Sequence, residues 1–173
     1  MIDTLFKRKS VRTYTGENIT GEELKLILKA ADASPVGLKQ YETLHLSIIT
    51  DKTFFEKLEK IVQSKFKNPN TNPLYGAPML IVISSKKFPP QMENVMYSNA
   101  AIMSHNIALA ATSLGIGSCY IWGATAALST DKELLSLLNL PNEFVPCCGI
   151  CLGKTNEIYE KKDIPDRISK SYI

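Results

Sequence analysis

Met79-Leu80-Ile81-Val82-Ile83 is a continuous apolar run, bounded by Pro78 on one side and by the Ser84-Ser85 pair on the other. Five successive apolar residues leave neither face polar, so the run predicts a central strand covered on both sides. Upstream, Leu44, Leu46 and Ile48 alternate with His45 and Ser47, as in a half-buried strand. Downstream, Cys119-Tyr120-Ile121-Trp122 and the segment from Phe144 to Leu152 read as two further strands.

Helices fall between these strands. A short first helix opens at Asp3 as N-cap and runs through Leu5 and Phe6 into the basic group Arg8, Lys9 and Arg12. Thr20-Gly21-Glu22-Glu23 has capping-box spacing, Leu24, Ile27, Leu28 and Ala31 follow at helical intervals, and Pro35 stops the helix near Ala33. Thr50-Asp51 caps a helix carrying Phe55, Leu58, Ile61 and Val62, and the Asn- and Pro-rich segment from Lys67 to Tyr75 is a loop. Asn94 to Leu114 is the longest helix, apolar nearly all round and therefore buried on most sides. Thr130 to Glu133 repeats the capping-box spacing before Leu134, Leu135 and Leu138, and Pro141 closes that helix. The last strand follows a helix rather than a hairpin, which predicts a mixed sheet covered by helices.

The chain has 173 residues, 45% of them apolar, which suits one domain over residues 1–173 with a polar, basic tail over 154–173. A charged fraction of 21% and a net charge of +3 create no global field that would demand nucleic acid or an anionic membrane as partner. The opening residues carry no apolar stretch of signal-peptide length, so a cytoplasmic location is the expectation. The weakly polar run Ala100 to Leu114, interrupted by Ser104, His105 and Asn106, falls short of the roughly 20 apolar residues that span a bilayer.

Cys147-Cys148-Gly149-Ile150-Cys151 contains a C-x-x-C. On a strand, Cys148 and Cys151 point to opposite faces. Cys147 and Cys151 share a face but lie about 13 Å apart, too far for a disulfide or a shared metal. These are expected to be buried core thiols.

The densest polar feature is Arg8-Lys9-Ser10-Val11-Arg12. Like charges at helical spacing repel by roughly 0.2–0.5 kcal/mol, and two arginines with a hydroxyl suit a phosphate. By itself the cluster also reads simply as a solvated basic patch. Ser34-Pro35-Val36-Gly37 is a turn between a helix and a strand; Gly37 allows close backbone approach to a flat group, although a plain helix stop is the simpler reading. Gly115-Ile116-Gly117 closes a helix and precedes a strand, the reverse of a dinucleotide fingerprint, so it is a C-cap and tight turn. His45 and His105 are read as structural, and neither zinc spacing nor a phosphate-binding P-loop occurs. No nucleophile and base stand out, so a cofactor is expected to carry any chemistry.

In this order and spacing the pieces resemble the FMN-dependent nitroreductase family. Arg8-Lys9-Ser10-Val11-Arg12-Thr13-Tyr14 is similar to its opening R-x-S-x-R-x-[FY], Ala33-Ser34-Pro35-Val36-Gly37 to its flavin-contacting turn, and Ala110 to Cys119 to its helix-to-strand passage. The resemblance implies an α+β fold, with a mixed, mostly antiparallel sheet covered by helices on both faces, in an intertwined homodimer whose clefts bind FMN. It implies that Arg8, Lys9, Ser10 and Arg12 hold the phosphate and ribityl chain, and that Ser34, Pro35, Val36 and Gly37 lie by the isoalloxazine. Ile121, Trp122 and Gly123 would then face its N5 edge, Arg167 would be the C-terminal basic residue of the phosphate site in competition with Lys154 and Lys162, and the tail would grip the partner. NAD(P)H would be co-substrate and a nitroaromatic, quinone or similar small molecule the acceptor in a ping-pong cycle, with no catalytic side chain and no metal. A flavin-storing or sensing protein and a specialised flavin dehydrogenase are the alternatives, and outside the resemblance a simple anion-binding domain. Leu38-Lys39-Gln40-Tyr41 departs from the family pattern, which has Asn and a Gln-Pro pair there.

Overall fold

The run Met79 to Ile83 lies in β2 (Met79–Lys86) of the computed structural model, which describes residues 2–173. With β1 (Leu44–Ile49), β3 (Gly117–Ile121) and β4 (Phe144–Gly153) it forms a four-stranded sheet in the order β1-β2-β4-β3. Each of the three pairings within the chain is antiparallel.

Residues of β2 serve two cores in alternation. Leu80 and Val82 meet Phe54, Leu58 and Val62 of α3 (Lys52–Phe66), Ala124 and Leu128 of α5 (Trp122–Leu128) and Leu134 of α6 (Lys132–Leu137). Met79, Ile81 and Ile83 meet Ile27 and Ala31 of α2 (Gly21–Asp32) and Ala100, Met103 and Ile107 of α4 (Glu93–Ser113) on the other face. Burial on both sides is the reason the run has no polar positions.

The capping box at Thr20 is present: Glu23 N–H donates to Thr20 Oγ1 at 3.2 Å, and Thr20 N–H donates to Glu23 Oε2 at 2.7 Å. Asp51 caps α3 through Thr53 N–H at 2.7 Å. Gly115, at φ 71°, ends α4 in the left-handed turn that glycine favours.

Four expectations need correction. The first helix, α1 (Ile2–Lys7), contains Asp3 in its first turn rather than starting from it, and ends before the basic group. Trp122 does not continue β3 but opens α5, a helix too short to show a readable period. Because α5 occupies that segment, Thr130 belongs to its closing turn, donating to Ala127 O at 2.7 Å, and Asp131 caps α6 instead. Finally, β4 is bulged: Ile83 faces Cys148 while Ser84 faces Pro146, so Cys147 is an extra residue and the alternation slips. Cys147 and Cys148 therefore both pack toward α4, and Cys151 alone of the three faces the other core. All four thiols are free, and burial pushes Cys147 up to about 11 and Cys148 up to about 12.

At Gly149 α5 lies close against the sheet. A Cβ there would stand 2.5 Å from Thr125 Oγ1 and 3.3 Å from Ile121 O. Thr125 cannot yield freely, because its hydroxyl donates to Ile121 O at 2.6 Å. Gly149→Ala is expected to lower stability by about 1–3 kcal/mol, the usual overpacking cost, read from the urea midpoint.

Candidate functional site

Beyond α1 the chain crosses the ends of β3 and β4 as a strap. Arg8 N–H donates to Thr4 O at 2.9 Å and closes the helix, Val11 N–H donates to Ser118 O at 2.9 Å, and Thr15 N–H donates to Lys154 O at 2.9 Å. Val11 is fully buried, and Tyr14 reaches back to donate its hydroxyl to Val11 O at 2.9 Å. The strap can lie this close because Gly117 has no side chain: a Cβ there would be 2.9 Å from the Tyr14 ring and 3.0 Å from Val11.

With Val11 turned inward, the polar side chains of the strap gather over β3. The Arg8 guanidinium lies 5.8 Å from the centre of the Tyr120 ring, and that of Arg12 lies 5.6 Å from the Tyr75 ring. The Cys119 thiol is their common neighbour. It is lowered from its ordinary value by a hydrogen bond with Cys151 first, then by the charges of Arg12 and Arg8 and a hydrogen bond with Ser10.

Lys9 has a different environment. Its ammonium pairs with Glu157 at 2.7 Å and lies over Tyr159, which ties the strap to the tail. Among the described residues no carboxylate pairs with Arg8 or Arg12, whereas Lys154 pairs with Glu23 at 2.5 Å. Two uncompensated guanidiniums and a hydroxyl on a fixed strap fit a bound phosphate.

Beside Arg12 opens a cavity of about 350 Å³, lined by Phe66, Tyr75, Tyr120, Trp122 and Gly123 among others. Tyr75, at φ 57°, and Gly76, at φ 78°, form a left-handed turn that presents the Tyr75 ring to Arg12. Trp122 is 78% exposed, so its ring is not core, and Ile121 beneath it is buried. Helix geometry leaves the first-turn N–H groups of α5, at Trp122 and Gly123, without carbonyl partners inside the helix.

His105 joins this surface from α4. Its Nδ1 is 2.8 Å from the Tyr120 hydroxyl, and its pKa is lowered from 6.5, mainly by burial and then by Arg8. Sequence reading missed His105, Tyr120 and Tyr75 as site residues. The available signal was Tyr120, the exposed position between buried Cys119 and Ile121 on an otherwise buried strand.

The turn at Ser34 is fixed to α4 by two asparagines seven residues apart. Asn106 Nδ2 donates to the buried Ser34 Oγ at 2.9 Å, and Gly37 N–H donates to Asn99 Oδ1 at 3.1 Å. The close approach at Gly37 is therefore to α4, where a Cβ would stand 3.2 Å from Val95. Pro35 is exposed and Val36 buried, and Leu38 and Lys39 follow at φ 55° and 58°, a strained pair for residues that are not glycine. Among the described residues, no hydrogen bond or ion pair joins this turn to the strap or to Trp122 in the same chain.

Among the described residues the tail is anchored to the rest of the chain in its first half. Tyr159 donates to Ile116 O at 2.6 Å, Lys161 pairs with Asp3 at 2.8 Å, and Lys162 N–H donates to Phe6 O at 3.2 Å. Beyond it Ile164, Arg167, Ile168 and Tyr172 are exposed.

Fold and site together define a helix-covered antiparallel α+β domain with a cationic strap beside an aromatic cavity. Residues 5–154 match the model of the Nitroreductase family, and the chain belongs to that family. It is 26% identical over 171 residues to a putative NADH dehydrogenase/NAD(P)H nitroreductase of Archaeoglobus fulgidus, covering 96% of this chain and 94% of the relative. It is 26% identical to the FMN reductase (NADPH) of Bacillus subtilis, covering 93% of this chain and 68% of the relative. A nitroreductase with bound FMN from Bacteroides fragilis superposes with a TM-score of 0.79 at 26% identity, over 98% of each chain. A second, from Desulfitobacterium hafniense, shares the fold with a TM-score of 0.85 at 22% identity, over 99% of this chain and 97% of its own. Among the described residues no group of three or more His, Cys, Asp or Glu is placed to hold a metal, and no helix is long and apolar enough to cross a membrane.

A lowered folded-state pKa means that the unfolded chain takes up the His105 proton first. Stability that this group contributes above pH 6.5 is lost as pH falls through the folded value. By NMR, His105 is expected to titrate below 6.5, and Arg8→Met to raise that value. A titration unchanged by the substitution would contradict the contact with Arg8.

Proposed function

We propose that this chain is an FMN-dependent oxidoreductase that takes electrons from NADH or NADPH and delivers them to a small organic acceptor such as a nitroaromatic or quinone. The observation that carries this reading is the uncompensated Arg8 and Arg12 pair, with Ser10, on a rigid strap beside the cavity of Tyr75, Tyr120 and Trp122. Membership of the Nitroreductase family supports it, as do relatives named for FMN and NAD(P)H. Bound FMN would supply the hydride- and electron-transfer chemistry that links the nicotinamide to the acceptor in ping-pong order.

The residues of this chain bind and orient. Arg8, Ser10 and Arg12 would hold the phosphate and ribityl chain, and the Tyr75 and Tyr120 rings fix the two guanidiniums so that little rotamer freedom is lost on binding. Lys9, paired with Glu157, holds the tail against the strap. Backbone N–H groups at Trp122 and Gly123 would face the polar edge of the ring system and stabilise negative charge there. No side chain is assigned as acid or base.

Ser34, Pro35, Val36 and Gly37 complete the site in this proposal from a second copy of the chain, in a homodimer. What supports this is the separate anchoring of that turn on α4 and the exposed apolar end of the tail, with Ile164, Ile168 and Tyr172 free to grip a partner and carry Arg167 toward its site. A cytoplasmic location belongs to the same proposal.

Purified protein is expected to be yellow or to take up FMN, to bleach with NADPH or NADH without oxygen, and to recover its colour on adding a nitroaromatic or quinone. Flavin that binds but stays oxidised would point to storage instead, and no binding would refute the reading. Arg12→Ala should weaken FMN binding at least about tenfold, the consequence of removing one charged hydrogen bond worth roughly 1.5–3 kcal/mol.

A further inference from the structure

Cys119 of β3 and Cys151 of β4 are direct partners in the antiparallel register. Residues opposed in this way have Cα atoms about 4.5–5.5 Å apart, inside the window of about 4.4–6.8 Å that a disulfide requires. Both side chains point to the α3 and α5 face of the sheet. Cys151 Sγ lies 3.5 Å from Cys119 O, so its sulfur lies against the Cys119 backbone. Neither cysteine is needed by the flavin reading, and the C-x-x-C spacing does not reveal the pair, because the two positions are 32 residues apart.

The two thiols have unequal surroundings. Cys119 lies under Ser10, Arg12 and Arg8, where hydrogen bonds and positive charge favour its thiolate. Cys151 is fully buried, with the Tyr14 hydroxyl 3.3 Å away, and is pushed up by its contact with Cys119 and by burial. Both are buried, Cys119 at 3% exposure beneath the cationic strap and Cys151 at 0% behind it, so Cys119, on the charged side, is the one placed to react first and Cys151 the one placed to resolve it.

We propose that Cys119 and Cys151 form a reversible cross-strand disulfide in response to a peroxide, with Cys119 as the reacting thiol. The Cys119 thiolate attacks one oxygen of hydrogen peroxide; an S–O bond forms, the O–O bond breaks, and hydroxide leaves. Cys151 sulfur then attacks Cys119 sulfur; the S–S bond forms, the S–O bond breaks, and the hydroxyl leaves as water with the Cys151 proton. The two thiols lose two electrons, and the peroxide is reduced to water. The disulfide would remove the thiol that Ser10, Arg8 and Arg12 share and the sulfhydryl beside Tyr14, so it reports oxidation directly to the strap.

The full-length protein as purified, treated with hydrogen peroxide, alkylated under denaturing conditions and digested, tests this by mass spectrometry. The expected product is one linked peptide pair joining Cys119 to Cys151, two hydrogens lighter than the free peptides and restored by dithiothreitol, with Cys147 and Cys148 alkylated. In Cys151→Ser, Cys119 should stop at a sulfenic acid that dimedone traps; in Cys119→Ser, Cys151 should stay reduced. Four free thiols after peroxide treatment, a link through Cys147 or Cys148, or sulfinic acid at Cys119 with Cys151 still free would each overturn the proposal. The readout is the cysteines alone, so its failure is separate from any failure of the flavin reading.

Discussion

The Arg8–Thr15 strap lies so close to the sheet that side chains beneath it at Gly117 and Gly153 would collide with it. At Gly117 a Cβ would meet Tyr14 and Val11, and at Gly153 it would meet Tyr14 at 3.0 Å and Pro78 at 2.5 Å. This close packing, with the bond from Val11 N–H to Ser118 O, fixes the register of the strap against β3. From that register follow the inward turn of Val11, the gathering of Ser10, Arg8 and Arg12 over Cys119, and the stacking of the arginines on Tyr120 and Tyr75. Concentrating positive charge on a mobile loop would let the charges separate, whereas on this strap they cannot. An anion bound there would relieve them, as the proposed phosphate site requires.

The second constraint is α4, which organises the site from below. Its apolar residues bury the central strands, while Asn99, His105 and Asn106 project from its remaining surface to hold the Gly37 turn and the Tyr120 hydroxyl. A helix that reads as apolar nearly all round thus carries, among its polar positions, the contacts that place both parts of the proposed site. Among the described residues no hydrogen bond or ion pair joins the two parts within one chain, and this is the physical motive for proposing a site shared between two copies.

Much of this was legible in the sequence. The uninterrupted Met79–Ile83 run predicted a doubly covered strand and the Thr20 box and Asp51 cap predicted two helix starts, whereas the cation cluster stood out as a phosphate candidate but reads as a helix end rather than a strap. What escaped shares a common cause, since it depends on partners distant in sequence. The bulge at Cys147 is set by the pairing with β2, so strand periodicity placed Cys147 on the wrong face. The facing of Cys119 and Cys151 is a consequence of strand order. Helix α5 is too short for a period, and Trp122 was read as strand for that reason. His105 was read as core because its helix is buried, although its own ring reaches the cation cluster.

A strap that cradles phosphate must distinguish FMN from riboflavin, and titration of flavin fluorescence with the purified protein compares the two affinities. The two ligands share the ring and differ only in the phosphate. If Arg8, Ser10 and Arg12 hold that phosphate, FMN binds at least about a hundredfold more tightly, as two or more charged hydrogen bonds of roughly 1.5–3 kcal/mol each require, and the difference collapses in the Arg8→Ala, Arg12→Ala double variant. Equal affinities for the two flavins, or a preference for FMN that survives the double substitution, would contradict the account.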